Sequence, residues 1–224
     1  MNVKIKRQRS PFSEPYWETF AYTGSPDASV ASVLDDLNYR DDITDIDGNP
    51  VPRISWECSC LQGMCGGCAM VINHKPALAC ETFLRDLGDE LIIEPLSKFM
   101  VISDLVVDRG VIQNNLLLTD AYIGQYKPSS PKEYEHQYAA AKCLKCGLCL
   151  EVCPNYTQGK SFFGAAFAND CYLVATRSGS FDTSIQKEYA EHFAKGCSKS
   201  LSCVDVCPMH IPTLASIAKM NRKA

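Results

Sequence analysis

Thirteen cysteines in 224 residues is an odd and high count, and eleven of them fall into spaced runs. The first run is Cys60-x4-Cys65-x2-Cys68, with Cys80 following after eleven intervening residues. Four thiolates at this spacing suit two irons held by one wrapped loop, the plant-type [2Fe–2S] arrangement. Bridging sulfides and thiolates carry negative charge, so such a loop must aim backbone N–H groups inward. Gly63, Gly66 and Gly67 permit the positive φ values and close backbone approach that this requires. A zinc knuckle is the competing chemistry, but zinc sites favour paired short C-x2-4-C hooks.

The second run is Cys143-x2-Cys146-x2-Cys149-x3-Cys153-Pro154, the bacterial ferredoxin pattern. Residues 143–154 read CLKCGLCLEVCP, and residues 197–208, offset by 54, read CSKSLSCVDVCP. This is an internal repeat in which Ser200 stands in the place of Cys146. In two-cluster proteins the fourth cysteine of each run crosses to the other cluster. Cys143, Cys146, Cys149 and Cys207 are therefore expected to hold a [4Fe–4S] cluster. Cys153, Cys197 and Cys203 form the other set, with Ser200 where a fourth thiolate would sit. Three thiolates favour [3Fe–4S]; a serine oxygen is the alternative fourth donor, and a harder, poorer one for iron. Cys58 and Cys171 are left over and read as tucked-in thiols, Cys171 within the apolar stretch Phe167 to Val174. His74, His136, His192 and His210 read as turn, surface or packing residues, and no catalytic acid, base or nucleophile stands out.

The elements that must position these thiols follow two grammars. Residues 3–9 and 16–22 alternate as strands, separated by a Pro-containing stretch. Val30, Val33, Leu34 and Leu37 form one helix face, with Asp27 or Ser29 available as cap. Apolar runs at 69–72, 77–79 and 91–93 add strands, the first two joined by an Asn73-His74-Lys75-Pro76 turn. From Val101 the strand signals fade; Val101, Ile102, Leu105 and Val106 suit a helix face, and the rest reads as helices broken at cysteine runs. The fold class expected is α+β, with a [2Fe–2S] domain over 1–104 and a helical domain over 105–224. Tyr126-Lys127-Pro128-Ser129-Ser130-Pro131 reads as a connection.

Composition narrows the function classes. Hydrophobic residues make up 46% and charged residues 21%, enough to bury a core. A net charge of −4 and a pI near 5.6 argue against a nucleic-acid binder. The charge is uneven, −7 over residues 1–131 and +3 over 132–224. Asp35, Asp36, Asp41, Asp42, Asp45 and Asp47 read as a solvated helix face and loop. No apolar stretch reaches the ~18 residues of a membrane helix, and MNVKIKRQRSPF has no apolar run behind it to make a secretory signal. Clustered thiols in a reducing compartment bind metal rather than pair as disulfides. A Gly-rich dinucleotide fingerprint is absent from the sequence, so a flavin would belong to another chain. A zinc-stabilised interaction module is the reading from a different class; it predicts a colourless protein without unpaired spins.

These three motifs in this order resemble the iron–sulfur subunit of succinate dehydrogenase and fumarate reductase. The likeness extends to Cys65-Gly66-Gly67-Cys68-Ala69-Met70, to Val101-Ile102-Ser103-Asp104-Leu105-Val106-Val107-Asp108 and to Phe163-Gly164-Ala165-Ala166. The resemblance implies an N-terminal β-grasp ferredoxin domain and an all-α ferredoxin domain after it. It also implies an FAD-containing catalytic subunit docked at the [2Fe–2S] end and a membrane anchor with quinone at the [3Fe–4S] end. The chain would then sit peripherally at the cytoplasmic face of the inner membrane, held through partner subunits. Two positions depart from the family pattern: Ser198 replaces a histidine common in succinate:quinone members, and Thr157-Gln158 replaces a tryptophan pair. Together with Cys207-Pro208-Met209-His210, these lean toward the fumarate-reducing branch. The same relay serving another flavoprotein, or a soluble electron donor, is the alternative.

Overall fold

A computed structural model describes residues 1–121, 128–177 and 183–222. The chain divides into two compact units, Met1–Asp108 and Arg109–Ala224. Tyr126 and Lys127 of the expected connection lie outside the described residues.

In the first unit, β1 (Asn2–Arg7) and β2 (Tyr16–Ala21) form an antiparallel hairpin, and β1 pairs in parallel with β5 (Glu90–Glu94). β3 (Ala69–Ile72) and β4 (Lys75–Leu78) complete a five-stranded sheet in the order β2-β1-β5-β3-β4. Helix α1 (Val30–Asn38) is capped by Ser29, whose hydroxyl accepts from the Ser32 N–H at 3.1 Å. Its Val30, Val33, Leu34 and Leu37 are buried, as are Val3, Ile5, Phe20, Leu91 and Ile93 of the sheet. A mixed sheet with one helix over one face is the β-grasp arrangement. Pro76, which has no N–H to give a ladder, sits on the edge strand β4. The β3–β4 turn is two residues long, Asn73 and His74 both having positive φ (44° and 66°), the geometry of a primed hairpin turn.

Val101 to Val107 is not helical. β6 (Val101–Ser103) and β7 (Val106–Val107) form a small hairpin, with Asp104 in the left-handed region at φ 47°. The apolar spacing fits a helix face, but β-branched residues favour the pleated form and a buried salt bridge fixes the turn. The fully buried Arg7 guanidinium donates to Asp104 Oδ2 at 3.0 Å, to the carbonyls of Pro52 and Arg53, and pairs with Glu18. Asp104 also accepts from the N–H groups of Gln8 and Ser55. One charged pair thus ties β1, the 52–55 segment and the hairpin turn together.

The second unit is helical. α5 (Gly164–Arg177) is buried along most of its length and packs against α2 (Gly110–Leu118), α3 (Pro131–Ala141), α4 (Leu148–Glu151), α6 (Thr183–Tyr189) and α8 (Thr213–Asn221). Ser130 caps α3 and Pro131 occupies its first turn. Asn169 on α5 donates to the Ala140 carbonyl and accepts from Ser216 on α8, a polar clasp across three helices. A π-turn over Ala190–Ala194 leads toward Cys197.

The twelve-residue repeat is also a repeat of backbone. Short helix α4 corresponds to α7 (Ser202–Asp205). Lys145 and Lys199 have φ 55° and 60°, and Gly147 and Leu201 have φ 89° and 62°. The bonds match as well: Leu150 N–H to Gly147 O at 2.9 Å answers Val204 N–H to Leu201 O at 2.8 Å.

Candidate iron–sulfur sites

Hairpin register brings the first thiols together. Ala69 pairs with Leu78, and the Ala79 N–H donates to the Cys68 carbonyl. Cys68 and Cys80 therefore stand at the same end of the β3–β4 hairpin, with sulfurs 3.4 Å apart. Cys60 and Cys65 lie on the loop that leads into β3. Its backbone N–H groups point at sulfur: Met64 to Cys60 at 3.2 Å, Gln62 to Cys60 at 3.5 Å, Gly63 to Cys80 at 3.2 Å and Gly67 to Cys65 at 3.4 Å. Gly63 and Gly66 have φ 71° and 76°; Gly67 does not have a positive φ, and Leu61 does, at 54°. A Cβ on Gly63 would also stand 3.0 Å from the Glu81 carboxylate.

Electrostatics differ sharply across this loop. The two N–H donors pull the half-buried Cys60 thiol down to about 7, whereas burial pushes Cys68 up to about 12. Cys58 is exposed, outside this ring of donors, and its thiol is raised by burial of its sulfur and by Asp35 and Cys65.

In the second unit the repeat builds two cavities, each drawing on both of its halves. One is lined by Cys143, Cys146, Cys149 and Cys207. The other, of about 300 Å³, is lined by Cys153, Cys197, Cys203 and Ser200, with apolar walls from Phe162, Phe193 and Leu214. Burial and neighbouring sulfurs raise three thiols of the first set: Cys143 moves up, Cys146 goes to about 11 and Cys149 lies well above its ordinary value. Cys203 is raised by burial and then by Cys153 and Cys197. Crowded, buried thiols ionise readily only when a cation shares the site. Among the described residues no three thiol, imidazole or carboxylate groups close on a single ion; the sulfurs ring spaces instead. Cys171 is fully buried on α5, away from both cavities' linings.

Two relationships here carry no sequence signal. Arg109 donates to the Cys146 carbonyl at 3.5 Å, 37 residues away. Asn155 bridges the halves of the repeat, donating to the Gly196 carbonyl and accepting from the Ser198 hydroxyl at 3.0 Å. The histidines take structural places: His74 is exposed in the β3–β4 turn, His136 meets Ser216 at 3.2 Å, and His192 stacks on Phe163 at 4.1 Å.

Comparison with known proteins follows the same division. A family model described as a 2Fe-2S iron-sulfur cluster binding domain matches residues 2–114, and one described as a 4Fe-4S dicluster domain matches residues 139–211. The succinate dehydrogenase iron-sulfur subunit of Bacillus subtilis is 34% identical over 97% of this chain and 90% of its own length. The chain belongs to the family of succinate dehydrogenase and fumarate reductase iron–sulfur subunits. The fumarate reductase iron-sulfur subunit of Haemophilus influenzae is 29% identical over 97% of this chain and 90% of its own length. A chain of the Mycobacterium smegmatis Sdh1 complex in the apo form shares the fold, with a TM-score of 0.78 at 22% identity over 99% of this chain and 94% of that one. Relatives of both names stand close together in identity, so membership is in the joint family of oxidoreductase subunits. Its cluster-binding domains make electron transfer the chain's work.

Proposed function

We propose that this chain is a three-cluster electron relay. Cys60, Cys65, Cys68 and Cys80 hold [2Fe–2S]; Cys143, Cys146, Cys149 and Cys207 hold [4Fe–4S]; Cys153, Cys197 and Cys203 hold [3Fe–4S]. The two compact units are the two cluster-binding domains. The observation that carries the reading is the pair of cavities, each taking thiols from both halves of the repeat, with Ser200 at the wall of the second. The residues fit the groups: soft thiolate donors, inward N–H groups and buried apolar walls suit iron–sulfur clusters. When bound, the clusters supply one-electron carriers between a two-electron flavin and a second redox partner.

The chain's own residues bind the clusters, donate backbone hydrogen bonds to their sulfurs and keep water from the two sites of the helical unit. An FAD-containing catalytic subunit acting on succinate or fumarate is the partner at the [2Fe–2S] loop, where Leu61 and Met64 are exposed. A quinone-binding membrane anchor is the partner at the [3Fe–4S] site, where Leu201 and Leu214 are exposed beside the cavity. Among the described residues no helix is long and apolar enough to cross a membrane. A peripheral place at the cytoplasmic face of the inner membrane, held by partners, follows from this reading.

The test is low-temperature EPR on anaerobically purified protein, oxidised and then reduced, with iron and sulfide quantified. The expected result is a [3Fe–4S] signal when oxidised, a [2Fe–2S] signal when reduced and about nine irons per chain. A spin-silent sample loaded with zinc would defeat the reading. Ser200→Cys is expected to abolish the oxidised [3Fe–4S] signal and add about one iron per chain; an unchanged signal at full loading would refute the ligand assignment.

A further inference from the structure

Between two of the thiols assigned above to [4Fe–4S] lies a lysine whose partner is remote in sequence. Lys145 lines the cavity together with Cys143, Cys146, Cys149 and Cys207. Its ammonium forms an ion pair with Asp170 of α5, the two side chains being 25% and 11% exposed. The second carboxylate oxygen, Oδ2, is buried and has no hydrogen-bond partner among the described residues. The carboxylate therefore spends its interactions on Lys145. The repeat offers an internal comparison: Lys199 has the same backbone conformation beside the other cavity, yet is exposed. The left-handed turn alone does not fold a lysine inward; Asp170 does.

We propose that the Lys145–Asp170 pair is a fixed dipole that sets the reduction potential of the [4Fe–4S] cluster, its cationic end against the cavity wall and its anionic end one step behind. The inference rests on the ligand set of the preceding section. Reduction adds one electron to the cluster, with no bond formed or broken, so a nearby cation favours the reduced state and a nearby anion disfavours it. Because the pair is partly buried, both effects are screened by salt less than those of exposed charges. Lys145 and Asp170 are positioning residues in this account; neither ligates iron.

The experiment is an EPR-monitored redox titration of the anaerobically purified full chain and of four variants, with iron counted in each. Lys145→Gln is expected to lower the [4Fe–4S] midpoint, and Asp170→Asn to raise it. Lys145→Arg keeps the charge and should hold the wild-type value. Lys145→Gln combined with Asp170→Asn should fall between the two single variants. The [2Fe–2S] midpoint should not move in any of them, which a general loss of structure could not produce. Lys145→Gln leaves a buried carboxylate unpaired; should it fail to fold, Asp170→Asn and the double variant carry the same comparison. Single variants that shift the midpoint in the same direction, or leave it fixed with [4Fe–4S] intact, overturn the inference. A wild-type chain lacking a [4Fe–4S] signal would instead overturn the ligand assignment beneath it.

Discussion

Cys60 and Cys68 share one loop, yet their surroundings push their thiols in opposite directions, to about 7 and about 12. The thiolate is the reactive form, so the difference is measurable in the iron-free chain. At pH 7.5 a small alkylating reagent should label Cys60 first and Cys68 and Cys171 last, as read by peptide mass spectrometry. Because the Cys60 value is lowered, its labelling should hold above pH 7 and fall about tenfold per unit well below it. Equal rates at Cys60 and Cys68 would contradict this ordering. Cys171→Ala should leave all three clusters in place and cost about 1 kcal/mol of stability, as expected for removing one buried atom from a core; loss of any EPR signal would make Cys171 a ligand. The cysteines were legible because metal chemistry writes its spacing into local sequence. Lys145 was printed inside the motif, but Asp170 lies 25 residues on and gains its meaning only when α5 packs against the loop.

At the scale of elements, the matched halves of the repeat differ most instructively at Gly147 and Leu201. Both occupy the left-handed region, where a side chain other than glycine costs about 1–2 kcal/mol. Gly147→Ala is expected to lower stability by about 1 kcal/mol and Leu201→Gly to leave it unchanged or raise it by up to about that amount, checked by thermal unfolding of the loaded protein. The repeat was legible in the sequence, but the short helices α4 and α7 and their left-handed caps were not. The β6–β7 hairpin was misread because four apolar residues over six positions fit two periodicities. What decided between them was Arg7, 97 residues before Asp104, a pairing invisible to any local window. Asp104→Ala should therefore cost about 3–5 kcal/mol by leaving the buried guanidinium short of charge, with the loss read by denaturant unfolding.

The two units of the molecule stand on different foundations. The first has a sheet, a capped helix and a continuous apolar core. In the second, α4 and α7 are four residues each, far below the length at which a helix holds itself together. Stripping iron should therefore raise amide exchange in residues 143–154 and 197–208 far more than in β1, β3 or β5, a contrast that hydrogen-exchange mass spectrometry resolves. Uniform protection in both units would show that packing alone suffices. The interleaved cavities also bear on how the protein is born. Cys143, Cys146 and Cys149 leave the ribosome long before Cys207, and Cys153 before Cys197 and Cys203. Neither cavity exists in a nascent chain that stops between the halves of the repeat. The complete ligand sets of the helical unit must wait for the later half to be made and docked, so sites closed by all their thiols certify a chain translated through both. A stalled or truncated product is left with incomplete ligand sets at both sites, a mark by which it can be told apart from the finished protein.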